Sequence, residues 1–390
     1  MNDFIFHNPD KVYFGKNQLA HLPEEILKIG KKILLVYGGG SVKKNGLYDR
    51  IMKLMQENEI TVFELSGVEP NPRHSTVNKG AAICKKEGID VVLAVGGGST
   101  IDCSKGIAAT AVAETDDVWD LILEEKQVEK ALPVIAVLTN AATGSEVDGW
   151  AVISNMETNE KLSLGGMGLL PKAAFENPSD TFTLSKYQTA CGAFDIFNHV
   201  LDNYYLAGDA TFDLILEFQE AVMRTVVKYA PIAMKEPDNY EARANLMWAS
   251  SMALNTILDA GTVHGCACHF MEHELSAYYD ITHGHGLAIV TPRWLTYILD
   301  EKTAPAIYRL GEKVFGVESG LENMAGAKRA IEALSDFCFE TLELTSTLSE
   351  LQVGSEHFKE MAKHACFGGE ISGPKTLKPE DVEKIYEMCL

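Results

Sequence analysis

The sequence lacks any apolar run that approaches the roughly 20 residues needed to cross a bilayer as a helix. It also lacks an N-terminal basic region followed by an apolar one, because the chain begins MNDFIFHNPDKVYFG. We therefore expect no signal peptide, no membrane partner and a cytoplasmic location. Eight cysteines in 390 residues do not form a disulfide framework, and reduced thiols agree with that location.

Positive charge is also scarce. The chain has 34 lysines and arginines against 55 aspartates and glutamates, and its formal net charge is −21. A nucleic acid partner calls for a basic patch that gains from counterion release, and an anionic membrane surface attracts basic segments. The composition therefore argues against both partners. Hydrophobic content of 46% is ordinary for a globular protein, and the length suffices for two domains.

The first half of the sequence alternates short apolar runs with helical patterns. The apolar runs lie at 31–37, 61–67, 90–95 and 132–139. They are rich in Val, Ile and Leu, and such strands in alternation with helices predict a parallel sheet covered on both faces. We therefore expect a Rossmann-like α/β domain in the N-terminal half of the chain.

Long helical patterns dominate the rest of the sequence. They lie at 187–207, 211–231 and 239–260, and strand patterns are absent there. Pro178, Ser179 and Asp180 interrupt the pattern between the two regions. We predict an α/β domain at 1–182 and an all-α domain at 183–390.

Three polar loops follow predicted strands, with the sequences YGGGSV, VGGGSTID and TNAATGSE. Glycine permits a tight turn and the close approach of a phosphate, and a helix N-terminus offers free N–H groups to it. A plain strand-to-helix turn would need fewer glycines. Because the carboxyl ends of parallel strands meet at one crevice, we expect a dinucleotide there. The candidate cofactor-binding residues are Gly38, Gly39, Gly40, Ser41, Gly97, Gly98, Ser99, Asp102, Thr139, Thr143 and Ser145.

Histidines are concentrated in the stretch HFMEHELSAYYDITHGHG, which covers residues 269–286. His269 and His273 are four residues apart, as are Asp195 and His199 in an apolar helical pattern, so each pair shares a helix face. One carboxylate with several imidazoles suits Fe²⁺ or Zn²⁺, with a coordination position open for substrate. The alternative for the upstream pair is a buried Asp–His hydrogen bond.

This histidine-rich stretch does not match two common zinc motifs. Glu272 directly precedes His273, so HFMEH is not the metalloprotease motif H-E-x-x-H. Cys266 and Cys268 lack a second cysteine pair nearby, so we expect buried or incidental thiols and not a structural zinc site. His285 is a candidate fifth ligand, but we favour a group behind the ligands or an ordinary loop histidine.

The ordered motifs resemble those of the iron-dependent (group III) alcohol dehydrogenase family along the whole chain. They are KVYFG, YGGGSVKKNGLYD, GVEPNP, AVGGGSTID, ATGSE, GAFDIFNH and HFMEHELSAYYDITHG. Within the family, the chain is most similar to the branch of bacterial butanol dehydrogenases and NADPH-dependent aldehyde reductases. Departures include His285, where a small or acidic residue is often found, and this change affects the rim of the implied substrate site.

The resemblance implies a dehydroquinate-synthase-like fold with the active site in the cleft between its domains. It implies that one divalent metal, Fe²⁺ or Zn²⁺, is held by Asp195, His199, His269 and His283. It further implies a substrate-facing His273, which we take as the proton relay because imidazole titrates near neutral pH. We add Lys161 to the cofactor-binding candidates. A homodimer is usual in the family.

The implied reaction is hydride transfer between a nicotinamide cofactor and a short-chain primary alcohol or aldehyde such as butanol or butanal. Alternatives are a polyol dehydrogenase of the glycerol or propanediol type and a dehydroquinate-synthase-like lyase. The lyase needs basic residues around a phosphorylated substrate, and no arginine lies in 187–207 or 264–286. The resemblance also implies that a carboxylate selecting NAD would follow the first GGGS-bearing strand. Because Gly38–Ser41 contains no acid to repel a 2′-phosphate, we expect NADP(H) to be preferred over NAD(H).

Overall fold

A six-stranded parallel sheet organises the N-terminal half of the protein, in a computed structural model that describes residues 2–207 and 212–390. Its elements are β1 (Val12–Phe14), α1 (Leu22–Leu27), β2 (Lys32–Tyr37), α2 (Ser41–Lys44), α3 (Leu47–Glu57), β3 (Thr61–Ser66), α4 (His74–Glu87), β4 (Val91–Gly96), α5 (Gly98–Val112), α6 (Val118–Leu123), β5 (Val134–Leu138), β6 (Trp150–Asn155), β7 (Glu160–Gly165) and β8 (Ala173–Glu176). The strand order is β1-β8-β5-β4-β2-β3, and β6 and β7 form a separate antiparallel hairpin.

Both faces of the sheet are covered, as the continuous apolar strands require. Along β2, Leu34 and Val36 pack into one buried cluster with residues of α4 and α5. Ile33 and Leu35 point the other way and join a second cluster with residues of α1 and α3. Because side chains alternate along a strand, burial of every second residue on each face needs apolar residues throughout.

The C-terminal half consists of helices and connecting loops, and its described residues form no β-strand. Its helices are α7 (Lys186–Val200), α8 (Asp213–Lys235), α9 (Tyr240–Leu254), α10 (Ala267–Tyr279), α11 (His283–Ile298), α12 (Ala304–Leu310), α13 (Asn323–Asp336), α14 (Phe358–Ala365) and α15 (Pro379–Met388). A π-helical turn, Leu201–Tyr205, extends α7. None of the helices in the described ranges combines the length and apolarity needed to cross a bilayer.

The chain forms two compact units. One spans Asn8–Leu184 and is called the sheet unit here; the other contains Ser185–Leu390 together with the N-terminal residues up to His7 and is called the helical unit. The predicted fold class, a Rossmann-like parallel sheet followed by helices, is confirmed.

Several element predictions need correction. The hairpin β6–β7 and the strands β1 and β8 were not predicted, because they are short or half-buried. The helix predicted at 239–260 ends at Leu254, and the one predicted at 187–207 changes to the π-helical turn after Val200. The helix predicted at 211–231 continues through Pro231 to Lys235, while its first residue lies outside the described residues.

Candidate functional site

Three helices of the helical unit carry the residues predicted to bind a metal. Asp195 and His199 lie on α7, which a capping box at Ser185 starts. His269 lies on α10, and α11 begins at His283. Asp195, His199 and His269 are buried, and one ligand atom from each lies within 4.8 Å of the other two. The structure therefore brings residues from distant parts of the sequence into one cluster.

The distances within this cluster fit a small divalent ion. Oδ1 of Asp195 lies 3.4 Å from Nδ1 of His199 and 3.5 Å from Nε2 of His283. Ligand atoms that surround a tetrahedral ion at its usual bond lengths are roughly 3.3–3.4 Å apart. The ring of His269 joins the group, with its centroid 4.6 Å from that of His199 and 5.5 Å from that of His283.

The protonation of the cluster also fits a metal. Burial, followed by the neighbouring imidazoles of His269 and His283, holds the pKa of His199 well below its ordinary value. Among the described residues, Nε2 of His269 is buried and has no hydrogen-bond partner. Buried polar atoms without partners are rare, and neutral imidazole nitrogens with free lone pairs are metal ligands.

The remaining histidines of the stretch have other surroundings. His273 lies on α10 with its ring centroid 5.6 Å from that of His283. His285 is buried in the first turn of α11, where its ring nitrogens contact the Tyr187 hydroxyl at 3.1 Å and the Thr345 carbonyl at 2.9 Å. The prediction of a loop histidine is therefore wrong, because α11 begins two residues before His285.

The three polar loops of the sheet unit lie at the carboxyl ends of β2, β4 and β5, which are neighbours in the sheet. The backbone N–H of Thr139 donates to the carbonyl of Gly96 at 2.9 Å. A β-carbon added to Gly98 would lie 2.3 Å from Oγ1 of Thr143, so the second and third loops touch where α5 begins. Gly40, with φ +100°, precedes α2 in a conformation that favours glycine.

A buried network joins two of these loops. Oγ of Ser145 donates to Oδ1 of Asp102 at 2.6 Å, and Oδ2 of Asp102 accepts the N–H of Val152 at 3.0 Å. Nζ of Lys105, which is fully buried, contacts Ser145 at 2.9 Å and Asp148 at 2.7 Å. Burial raises the pKa of Asp102 to about 6. The hydrogen bond between the Ser145 hydroxyl and the Asp102 carboxylate thus connects the loop after β5 to the loop after β4.

Two other contacts involve a predicted cofactor residue, Lys161, and the surroundings of the first loop. Lys161, on β7, is buried and donates to Oδ1 of Asn71 at 3.0 Å. Beside the first loop, Glu64 accepts hydrogen bonds from the hydroxyls of Tyr37 and Tyr48 at 2.7 and 2.8 Å. Lys43 lies 3.9 Å from Glu64, so a carboxylate that the sequence did not point to balances part of its charge.

Two protein-family models match the chain. The model of the iron-containing alcohol dehydrogenase matches residues 9–178, and that of the C-terminal part of the Fe-containing alcohol dehydrogenase family matches residues 189–390. The chain belongs to the iron-containing alcohol dehydrogenase family. Membership makes this chain an oxidoreductase and implies a nicotinamide cofactor and a divalent metal.

Relatives match this chain along most or all of its length. NADH-dependent butanol dehydrogenase A of Clostridium acetobutylicum is 46% identical over 389 residues, or 99% of each chain. NADPH-dependent aldehyde reductase YqhD of Escherichia coli is 36% identical over 90% of this chain and 89% of its own. The crystal structure of NADH-dependent butanol dehydrogenase A from Thermotoga maritima matches with a TM-score of 0.94 and 38% identity, covering 100% of this chain and 99% of that chain.

Two carboxylates beside the predicted metal ligands were not predicted to belong to the site. Oδ2 of Asp202 lies 2.9 Å from Nδ1 of His269, and Oε2 of Glu272 contacts Nδ1 of His283. Asp202 follows Asp195 by seven residues, which is again a helical spacing, and that signal was available in the sequence. For Glu272 no comparable signal exists, because its partner lies on another helix.

Proposed function

We propose that the chain is a metal-dependent, NAD(P)H-linked alcohol dehydrogenase and aldehyde reductase that acts on short-chain primary alcohols and aldehydes such as butanol and butanal. The observation that carries this proposal is the position of the buried Asp195 carboxylate, whose Oδ1 lies 3.4 Å from Nδ1 of His199 and 3.5 Å from Nε2 of His283. Relatives named butanol dehydrogenase and aldehyde reductase support the substrate class.

Asp195, His199, His269 and His283 would hold one divalent ion, Fe²⁺ or Zn²⁺. Such an ion acts as a Lewis acid that stabilises negative charge on the substrate oxygen during hydride transfer to or from the nicotinamide. The four side chains supply one negative charge and three neutral imidazoles, and the burial of Asp195, His199 and His269 excludes competing water.

His273 would exchange the proton that accompanies hydride transfer. It lies one helical turn beyond His269 on the same face of α10, and it is only partly buried. A partly buried imidazole can accept a proton from the substrate side and release it to solvent. The proximity of its ring to that of His283, 5.6 Å between centroids, supports this role.

The loops at the carboxyl ends of β2, β4 and β5 would bind the nicotinamide cofactor. The residues in contact with it would be Gly38, Gly39, Gly40, Ser41, Gly97, Gly98, Ser99, Thr139 and Thr143, with Lys161 on the neighbouring hairpin. Asp102 and Ser145 would support the cofactor loops without touching the cofactor, since their side chains bond each other. The α5 N-terminus at Gly98 offers N–H groups and a positive dipole end to a phosphate.

We propose a preference for NADP(H) over NAD(H), since no acid lies among Gly38–Ser41. The relative named NADPH-dependent supports this preference, and the more similar relatives named NADH-dependent support the reverse. We also propose that the chain forms a homodimer and is cytoplasmic. The free state of all eight cysteines supports a reducing compartment.

A substrate panel tests the proposed reaction. NADPH or NADH oxidation is followed by absorbance with butanal, and the reduction of the oxidised cofactors is followed with butanol, 1,3-propanediol and glycerol. We expect the highest kcat/KM with butanal, and loss of the rate after chelation. A polyol that exceeds butanol by tenfold in kcat/KM would favour the polyol dehydrogenase instead, and turnover that survives metal removal would refute the metal-dependent mechanism.

A further inference from the structure

Two buried carboxylates contact two of the imidazoles that are proposed to bind the metal. Asp202 contacts His269, and Glu272 contacts His283. Both carboxylates are almost completely buried, with 2% and 0% of their surface exposed. We propose that Asp202 and Glu272 are positioning residues that fix the orientation and the tautomer of His269 and His283 for metal binding. This inference rests on the proposed metal-dependent function.

The contact between Asp202 and His269 determines which ring nitrogen carries the proton. Oδ2 of Asp202 lies 2.9 Å from Nδ1 of His269. An ionised carboxylate only accepts hydrogen bonds, so Nδ1 is the donor and carries the hydrogen. The lone pair of the neutral ring is then on Nε2, the buried atom that has no hydrogen-bond partner among the described residues. Asp202 therefore leaves the free nitrogen of His269 available to a metal.

The same carboxylate also fixes the backbone that carries this histidine. Oδ2 of Asp202 accepts the backbone N–H of His269 at 3.1 Å. His269 is in the first turn of α10, whose N-cap residue, Cys266, makes no side-chain cap. N–H groups of a first helical turn have no partner within their own helix, so Asp202 substitutes for the missing cap. One oxygen atom thus holds both the start of α10 and the imidazole.

Asp202 is brought to this position by its own helix. It follows Asp195 by seven residues and His199 by three, so the three side chains occupy one side of α7 and of its π-helical extension, Leu201–Tyr205. π-helical turns often occur at functional sites. A single helix therefore supplies two proposed metal ligands and the carboxylate that orients a third ligand on α10.

Glu272 has an equivalent relation to His283. Its Oε2 contacts Nδ1 of His283, whose other nitrogen lies 3.5 Å from Oδ1 of Asp195. The hydroxyl of Ser276, one turn further along α10, lies 2.5 Å from Oε1 of Glu272. A β-carbon at Gly286 would lie 2.7 Å from Cγ of Glu272, so the absence of a side chain there leaves the space that this carboxylate occupies.

Carboxylates that bond a ligating imidazole orient its ring, fix its tautomer and make the ligating nitrogen more basic. Their removal costs metal proteins about 10–100-fold in metal affinity. We therefore expect Asp202→Asn and Glu272→Gln each to weaken metal binding by about that factor, since an amide loses the charge and can present a donor in place of the acceptor.

Glu274→Gln provides the matched control. Glu274 lies on the same helix, is also buried, and contacts His364, which is not in the proposed metal centre. Zn²⁺ affinity is measured by competition with a chromophoric chelator, and the visible spectrum of the Co²⁺-loaded chain reports ligand geometry. We expect weakened Zn²⁺ affinity and an altered Co²⁺ spectrum in Asp202→Asn and Glu272→Gln, and parent-like values in Glu274→Gln.

Ser276→Ala tests the same arrangement without altering a carboxylate, and so it replaces Glu272→Gln if that variant does not fold. Loss of one hydrogen bond to Glu272 should weaken Zn²⁺ binding by roughly fivefold. The positioning roles alone would be overturned if Asp202→Asn, Glu272→Gln and Ser276→Ala all kept the Zn²⁺ affinity and the Co²⁺ spectrum of the parent while His269→Ala lost Zn²⁺. A parent chain that binds no stoichiometric Zn²⁺, Co²⁺ or Fe²⁺ would instead overturn the proposed metal-dependent function.

Discussion

His269 lies close to most of the other residues that are proposed to bind the metal. Its backbone and ring bond Asp202, its ring lies near those of His199 and His283, and its Nε2 is buried without a hydrogen-bond partner among the described residues. Since a three-residue remnant holds an ion poorly, His269→Ala should lose most of the bound metal and its turnover and keep its helical content.

The measurement for His269→Ala is metal per chain, with kcat/KM and circular dichroism on the same sample. His264→Ala is the matched control, because His264 lies close by in the sequence but is exposed and contacts Asp259 at 3.2 Å. The control should keep its metal and its turnover. Stoichiometric metal with normal turnover in His269→Ala would show that His269 is not a ligand.

His273→Ala should separate proton transfer from metal binding. The variant should keep its metal, because the four proposed ligands remain, and lose about 10²–10⁴-fold in kcat, the usual contribution of a positioned acid or base. Proton transfer should then limit turnover, so the solvent deuterium isotope effect on kcat should increase. Loss of the metal from His273→Ala would instead assign His273 as a ligand.

At the residue scale, the sequence predicted which side chains come together when a short spacing on one helix sufficed. Asp195 and His199 share a face of α7, and Oδ1 of Asp195 lies 3.4 Å from Nδ1 of His199. In the sequence, the only motif considered for Glu272 is that of the metalloproteases, and HFMEH does not match it. Its contact with His283 depends on how α10 and α11 pack, and local spacing does not encode that packing.

At the scale of the element, the buried network between α5 and the third loop gives the sheet unit a pH dependence. Burial raises the pKa of Asp102 from 3.8 to about 6, although the charge of Lys105 lowers it. The folded chain therefore binds this proton more tightly than the unfolded chain does. The contribution of the Asp102 proton to the free energy of unfolding is complete below about pH 3.8 and is lost as the pH rises through about 6.

Asp102→Asn should reduce the fall in unfolding free energy between pH 4 and 6, because an amide does not ionise. Burial also raises the pKa of Asp10 to about 6, so part of the fall should remain. Urea unfolding across this pH range provides the measurement, and Asp49→Asn, on the surface of α3, provides the control. Identical pH profiles for Asp102→Asn and the parent would contradict the assignment.

The loop between β2 and α2 is predicted to select the cofactor. Gly39→Asp should lower the ratio of kcat/KM with NADPH to kcat/KM with NADH, since a carboxylate repels the 2′-phosphate and accepts ribose hydroxyls. Gly39 is the better position, because an added β-carbon there meets nothing within 4 Å, whereas one at Gly38 would lie 3.3 Å from the carbonyl of Val68.

Gly39→Asn is the control for the change in size without charge, and it should leave the ratio near that of the parent. Two results would contradict the proposed preference. One is a parent chain that favours NADH, and the other is a ratio that Gly39→Asp leaves unchanged.

The elements themselves were predictable where burial imposes a continuous pattern. β2 and β4 appear in the sequence as uninterrupted apolar runs, since both faces of the sheet are covered. The hairpin β6–β7 has mixed burial and polar ends, so its pattern did not stand out. The end of α9 at Leu254 was also missed, because helical spacing continues in the sequence beyond it.

At the scale of the whole molecule, the chain joins a sheet unit suited to a dinucleotide with a helical unit suited to a metal. The order of these units followed from the change of pattern near Pro178. The four proposed metal ligands were assigned from the family resemblance, because four residues on three helices do not form a local motif.

Metal titration of the chelator-treated chain tests the central claim most directly. Butanal and NADPH are present throughout, and the initial rate of NADPH oxidation is followed as Fe²⁺ or Zn²⁺ is added under anaerobic conditions. The proposed centre predicts a rate that increases from near zero and saturates at one equivalent of metal per chain. A chelated chain that already turns over at the full rate, or a rate that no added metal restores, would contradict a metal-dependent oxidoreductase.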